Sequence, residues 1–188
     1  MLFGTEKTFA IEAMSEPDLA PPSAVWGRMR VWCQGMPIGD FFAKQCALYP
    51  SYVNFRLLRE RLALLWLAEF EGMSAISLWN HLDGLLYGFH GDVELTDVRT
   101  LEECRQASEK YGRFDFLTNW GEQFDDNGKS FILCTPAGEV KVLNWSLAKE
   151  EELRARLPDV LQSISEFMNW FESEARRLNG GPKDHLTA

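Results

Sequence analysis

The sequence has few of the side chains that bind metal ions. Its 188 residues include three histidines and four cysteines, and no two cysteines form a Cys-X-X-Cys pair. A structural zinc site needs four such ligands at close and regular spacing, so we expect neither a metal site nor a cofactor. Cysteines at irregular spacing in an intracellular protein are typically reduced, and we expect four free thiols, at Cys33, Cys46, Cys104 and Cys134.

The sequence also lacks the short motifs of common enzymes. It contains no GxGxxG or Walker loop for phosphates, and no GxSxG, HExxH or kinase signature. We therefore predict no catalytic residues and a protein that is not an enzyme. A small enzyme built from scattered residues is the alternative. Its first candidates are His90 and Asp92 of the segment GFHGD, joined by His81 in a metal or acid–base site, or by Asp40.

Long apolar runs are missing as well. No stretch reaches the 18 or so apolar residues that suggest a membrane-spanning helix, so we expect no membrane association. The first residues, MLFGTEKTFAIEA, show no basic region followed by an apolar stretch, and we expect no signal peptide and a cytoplasmic location. Seven tryptophans and 46% apolar residues can nevertheless form a substantial core. We expect one domain over residues 1–178 and a flexible polar tail over 179–188.

Basic residues are scarce relative to acidic ones, and the imbalance is concentrated in one stretch. The net charge is −9, and residues 91–126 alone carry ten acids against four bases. Such a field repels nucleic acids and attracts basic partners, so we expect a basic protein partner and no nucleic acid. A surface that only keeps the protein soluble is the alternative. The acids that we expect to contact the partner are Asp92, Glu94, Asp97, Glu122, Asp125 and Asp126.

The N-terminal third has the period-two pattern of β-strands. Residues 2–14 and 24–33 alternate between apolar and polar positions, and a turn near Gly35 leads into a third extended run. Asp40 follows this hairpin in the segment VWCQGMPIGDFF. We predict that its carboxylate accepts hydrogen bonds from nearby backbone amides and fixes the exit of the hairpin, and that it takes no part in a reaction.

The pattern then becomes helical and afterwards returns to strands. Helical spacing covers residues 52–70, 74–87, with Ser74 as N-cap, and 101–110. The Asn-Gly pair of DDNG predicts a type I′ hairpin turn between WGEQF and KSFILCT. Three antiparallel strands are expected from about Asp115 to Trp145, Ser146 is expected to cap the next segment, and an apolar stripe predicts a final helix from Pro158. The order of elements favours an α+β fold, with antiparallel sheets from N-terminal and central hairpins packed against several helices.

One face of the predicted strand at 24–33 combines aromatic and basic side chains. Two indoles and two guanidinium groups on one strand face could form a binding platform through cation–π contacts. They could equally lie beneath the long helices, with the arginine head groups reaching water. The residues of this alternative binding face are Trp26, Arg28, Arg30 and Trp32.

Several short segments in a fixed order resemble the immunity protein 42 family of bacterial polymorphic-toxin systems. The chain opens with LFGTEKTFAIE, continues with WGRMRVW and GMPIGD, has LLYGF in its middle, and carries FMNW in its last predicted helix. Members of that family open with an "FG…FAIE" strand, follow with an aromatic-rich strand and a "G-x-x-IGD" turn, and end near an "F-x-x-W" helix. The resemblance spans roughly residues 2–171, and Ile38–Asp40 is its best single match.

The resemblance implies a cytosolic antidote that binds a cognate toxin domain stoichiometrically and performs no catalysis. A basic nuclease is one kind of toxin that would suit an acidic inhibitor. The function expected from the sequence is therefore toxin neutralisation by protein–protein interaction. A small enzyme with an unrecognised His/Asp site, and an adaptor or chaperone for a secreted effector, are the alternatives.

Overall fold

The computed structural model of the protein describes residues 1–91, 93–96, 98–146 and 149–179. Within these ranges it gives no side-chain environment for 126–127 and 145–151. Residues 180–188 of the predicted tail, together with Asp92 and Asp97 of the predicted acidic site, lie outside the described residues.

The N-terminal part of the chain forms an antiparallel sheet in the order β1-β2-β3-β4, with the short strand β5 paired to β3. Phe9, Ile11, Val31 and Cys33 point to one face and are completely buried. Alternation therefore places one face of each strand in the core and leaves the other face outside, as a half-buried sheet requires. The strands are β1 (Leu2–Thr5), β2 (Phe9–Ser15), β3 (Trp26–Cys33), β4 (Met36–Ile38) and β5 (Cys46–Ala47).

Three helices and a small hairpin follow. Ser74 caps the second helix, since its hydroxyl accepts a hydrogen bond from the backbone N–H of Ser77, as predicted. Thr100 and Glu103 form a reciprocal capping box at the start of the third. These elements are α1 (Tyr49–Arg61), α2 (Ala75–Tyr87), the hairpin strands β6 (Phe89–His90) and β7 (Val93–Glu94), and α3 (Leu101–Tyr111).

The helix predicted over 52–70 ends earlier than expected, at Arg61. Two short 3₁₀ turns, Leu62–Leu64 and Ala68–Phe70, take its place. The carbonyl of Leu65 between them accepts a hydrogen bond from the backbone N–H of Cys134. The helix therefore ends where the backbone bonds a strand that is distant in the sequence. The spacing of apolar residues near the helix does not indicate this tertiary contact.

The second half of the chain forms a sheet in the order β11-β10-β9-β8, again antiparallel. Strand β11 was not predicted, because its charged sequence KEEELRAR suits a helix as well as a strand. Pairing with β10 decides the outcome: Leu153 lies opposite Val142 and Ala155 opposite Val140, and all four are buried. The elements are β8 (Asp115–Phe116), β9 (Ser130–Cys134), β10 (Glu139–Ser146), β11 (Lys149–Arg156) and α4 (Leu157–Leu178).

Both sheets contribute to one continuous apolar core, and α4 lies against the first sheet. Phe167 of α4 contacts Phe3 of β1 and Phe55 of α1, with ring centroids 6.1 and 5.5 Å apart. Phe55 in turn packs edge-on against Trp120 at 5.1 Å, which joins α1 to the connection between β8 and β9 of the second sheet. The expected α+β architecture is confirmed. Among the described residues, no helix is both long and apolar enough to cross a lipid bilayer.

Candidate interaction surfaces

The structure places the described members of the predicted acidic site on two elements. Glu94 is exposed on β7, and Glu122 and Asp125 are exposed on a 3₁₀ helix, Glu122–Asn127. Asp92 and Asp97 lie outside the described residues, as does the side chain of Asp126. That these acids bind a partner remains a prediction.

The hairpin turn predicted at DDNG is wrong, because this segment is the 3₁₀ helix. Its neighbouring residues Gln123 and Phe124 are both buried, and successive residues of a strand cannot both face the same core. The side-chain amide of Gln123 donates to the hydroxyl of Ser51 at 3.0 Å, and that hydroxyl donates to the carbonyl of Trp120 at 2.8 Å. The tight turn thus inserts two side chains inward and leaves the acids on either side of them in water.

A buried ion pair holds both acidic elements in place. The carboxylate of Asp83 on α2 lies 2.6 Å from Nζ of Lys129, a residue that follows the 3₁₀ helix after Gly128. The same carboxylate accepts a 3.0 Å hydrogen bond from the backbone N–H of Gly91 in the β6–β7 turn. Burial raises the pKa of Asp83, and the hydrogen bond from Lys129 partly offsets this effect. Lys129 also lies over the rings of Tyr87 and Phe89, at 5.0 and 4.6 Å.

The outer face of β3 carries Trp26, Arg28, Arg30 and Trp32 in the alternation predicted from the sequence. Trp26 is 40% exposed and the other three are half-buried. The alternative in which the long helices cover this face is wrong, since α4 packs on the opposite face of the sheet.

Glu12 on the neighbouring strand β2, and Glu16 just after that strand, neutralise the arginines of that face. Arg30 donates to Glu12 at 2.6 Å, Trp32 donates to the same carboxylate at 2.9 Å, and the guanidinium of Arg30 lies 4.3 Å from the centre of the Trp32 ring. Burial alone would raise the pKa of Glu12, but hydrogen bonds from Arg30 and Trp32 outweigh burial and lower it. Arg28 pairs with Glu16 at 3.2 Å. The outer face is therefore a surface of paired charges and indole rings.

Asp40 shapes the backbone beside this face, as predicted. Its carboxylate accepts a 2.7 Å hydrogen bond from the N–H of Phe42, and its own N–H donates to the carbonyl of Gln123 at 2.7 Å. Gly39 precedes it at φ +113°, and a Cβ at this position would lie 2.8 Å from the ring of Phe124. The turn presents Phe42 with 83% of its surface exposed, and the sequence pattern does not predict this exposure.

The residues proposed for an alternative enzyme have separate surroundings. His81 lies 4.0 Å from Glu69 and edge-on to Tyr111, whereas His90 is exposed on β6. Asp92 lies outside the described residues. In the part of the chain that the structure describes, no three potential ligands are grouped closely enough to hold a metal ion.

A half-buried carboxylate lies on β8, an edge strand of the second sheet. Asp115 accepts a 2.8 Å hydrogen bond from the hydroxyl of Tyr87, and burial raises the pKa of Asp115 to about 6 in spite of that hydrogen bond. The charge of Asp115 opposes the effect of burial on Arg61, whose pKa is lowered. The arrangement joins α2 to β8 internally, and sequence spacing gives no signal for it.

Comparison with known proteins identifies a shared fold. No family model and no curated protein matches the chain. The crystal structure of CdiI from Burkholderia dolosa AUO158 is similar, with a TM-score of 0.59 over 90% of this chain and 99% of that chain. The sequences are 13% identical. At this identity the likeness is one of fold, and it extends over nearly the whole of both chains.

Proposed function

We propose that this protein is an immunity protein that binds a cognate toxin domain in the cytoplasm and neutralises it as a stoichiometric complex, without catalysis. The observation that carries the proposal is the fold shared with CdiI across 99% of that chain. CdiI is an immunity protein of a contact-dependent growth inhibition system. The resemblance of several short sequence segments to the immunity protein 42 family points to the same class and belongs to this proposal.

The charge of the chain supports a basic toxin. The net charge is −9, and Glu94, Glu122 and Asp125 are exposed on elements anchored by the Asp83–Lys129 pair. Complementary charge raises the rate of association and selects against acidic proteins. A toxin that acts on nucleic acid needs a basic cleft, so a basic nuclease would fit this surface.

The contacts of the candidate catalytic residues support binding over catalysis. The carboxylate of Asp40 is engaged by the backbone of its own turn. The other described candidates have separate surroundings, with His81 beside Glu69 and His90 exposed on β6. The hydrogen bond at Asp40 gives this carboxylate a structural role, which favours binding over catalysis at this position.

A growth experiment tests the proposal. If the neighbouring gene encodes a secreted protein, as this function requires, its C-terminal domain is expressed from an inducible promoter, with and without this protein. We expect induction to stop growth of the cells that lack this protein and to leave growth intact where it is present. Gel filtration of the purified pair should give a complex with one copy of each chain. Growth arrest that continues in the presence of this protein would contradict the proposal.

The ratio of the two chains separates inhibition from catalysis. A stoichiometric inhibitor protects only when it is at least as abundant as the toxin domain. An enzyme that modifies the toxin or reverses its damage would protect at a small fraction of that amount. Protection at a ratio of about one to a hundred, without a stable complex, would favour the enzymatic alternative.

A further inference from the structure

We propose that Phe42 is the anchor through which this protein binds the toxin domain, by inserting its ring into an apolar pocket with a basic rim. The inference rests on the proposed function and names the residue that makes its central contact. Phe42 is 83% exposed, although a phenylalanine side chain is among the most favourable to remove from water. Aromatic side chains of this kind dominate the binding energy of many protein interfaces.

The backbone holds Phe42 in a defined position. Its N–H donates to the carboxylate of Asp40 at 2.7 Å, and the N–H of Asp40 donates to the carbonyl of Gln123 at 2.7 Å. Gln123 is itself buried. The turn is therefore tied to the core at its base, and little conformational freedom is lost when its tip is bound.

The two neighbouring phenylalanines have different surroundings. The ring of Phe41 lies 4.9 Å from the guanidinium of Arg30 and so packs toward the outer face of β3. Phe42 points away into water. Two residues further on, Lys44 lines a groove of about 600 Å³ together with Glu16, Trp26 and Arg28. Among the residues whose exposure the structure describes, Phe42 is the most exposed aromatic residue. The nearby groove adds the partly exposed indole of Trp26, and a surface of this kind suits a protein partner.

Acidic side chains lie around this turn. Asp40 and Glu122 are exposed, and both are close enough to the thiol of Cys46 to raise its pKa, with burial as the larger cause. Asp125 is exposed on the same 3₁₀ helix as Glu122. An aromatic centre within a charged rim is the usual organisation of a protein interface. Three exposed acids, Asp40, Glu122 and Asp125, outnumber the exposed cation Lys44 here, so the net charge is negative and a partner with positive charge around its pocket is complementary.

Charge also argues against a second copy of this chain as the occupant. Each copy has a net charge of −9, and two such turns facing one another would bring Asp40 and Glu122 of both copies together. Like charges in close approach oppose association. A basic toxin domain meets no such repulsion.

The test uses a catalytically inactive form of the toxin domain encoded beside this chain, titrated calorimetrically with full-length variants. Phe42→Ala should weaken binding by about 30-fold or more, as removal of a central aromatic anchor does. Leu101→Ala is the matched control, because Leu101 is 91% exposed on α3 and its truncation removes a similar apolar surface. The control should bind as the wild type does, and all three proteins should unfold at the same temperature.

The outcomes distinguish this inference from the proposed function. If the wild type binds and Phe42→Ala binds equally well, the anchor is elsewhere and the inference is overturned while the proposed function stands. If the wild type does not bind the toxin domain at all, both fall. If light scattering shows a wild-type dimer that Phe42→Ala makes monomeric, the occupant is a second copy and the inference is overturned. Loss of binding confined to Phe42→Ala supports it.

Discussion

Nζ of Lys129 lies 2.6 Å from the carboxylate of Asp83, a residue with no exposed side-chain surface. The pair connects α2 to the segment that follows Glu122–Asn127, while the second oxygen of Asp83 holds the β6–β7 turn through Gly91. A single buried carboxylate therefore controls the position of both elements that carry the predicted acidic surface.

Replacing Lys129 should be costly for folding. In Lys129→Met the carboxylate of Asp83 stays buried without its cation, and loss of one partner of a buried pair costs about 3 kcal/mol. Asp83 can escape the penalty by binding a proton, so the variant should recover part of the loss at pH 5 relative to pH 7.5. Urea unfolding at the two pH values measures this difference. Equal losses at both pH values would show that the carboxylate is not the source of the instability.

Asp115 should make the protein less stable as the pH rises. Burial raises the pKa of Asp115 to about 6, above the value near 3.9 of an unfolded aspartate. A raised pKa in the folded state stabilises the protein fully below about pH 4, and this contribution is lost as the pH rises through 6. The loss amounts to about 3 kcal/mol for a shift of this size.

Asp115→Asn removes the titration and should flatten the dependence of unfolding free energy on pH between about 4 and 7. Asp125→Asn is the control, because Asp125 is exposed and its substitution leaves the carboxylate of Asp115 in place. Denaturant unfolding at four or five pH values gives the comparison. A wild-type curve that is already flat in this range would contradict the prediction.

Asp40 should contribute to stability through its turn and not through its charge. Asp40→Ala removes the acceptor for the N–H of Phe42 and should lower the free energy of unfolding by about 1 kcal/mol. Asp40→Asn keeps an oxygen at the same place and should cost much less. Chemical unfolding of the three proteins tests this. A variant Asp40→Asn that is fully stable but no longer neutralises the toxin would instead identify the charge as a binding contact.

The acidic surface should act mainly on the rate of association. Reversal of Glu94, Glu122 and Asp125 to lysine is expected to slow binding of the toxin domain by about tenfold or more at low salt, because complementary charge steers the encounter. The reduction should shrink as added salt screens exposed charges over about 8 Å.

Stopped-flow association across a series of salt concentrations measures both effects, and thermal unfolding checks that the exposed substitutions leave the fold intact. Reversal of Glu6, Glu60 and Glu71 is the matched control, since these three acids are exposed and lie outside the predicted site, and the change in net charge is the same. An unchanged rate and an unchanged salt dependence would show that the acids of the predicted site only solvate the protein.

The parts of the fold that the sequence predicted are those decided by local chemistry. The alternation along Trp26–Cys33 and the cap at Ser74 depend on residues a few positions apart. The end of α1 at Arg61 depends on Cys134, a partner far away in the chain. Strand β11 depends on pairing with the neighbouring strand β10, which its charged sequence does not indicate. Local periodicity contains no information about such pairings.

For the candidate surfaces too, local features could be predicted from the sequence and features that depend on tertiary contacts could not. The indole and guanidinium face of β3 and the role of Asp40 could be predicted, because a strand and a turn orient their own side chains. The exposure of Phe42 could not, since two successive phenylalanines look alike in sequence. Only the contact between Phe41 and Arg30 in the folded chain makes them different.

The turn at Gly39 contains one position that the fold constrains strongly, position 39, and one that it constrains little, position 42. A side chain at position 39 would clash with the ring of Phe124, so the packing of the core requires glycine there. Phe42, three residues later, makes little contact with the rest of the chain, and its replacement places almost no demand on the fold. With Phe42 as the proposed anchor, a change of this outward residue would alter the target and leave the scaffold unchanged.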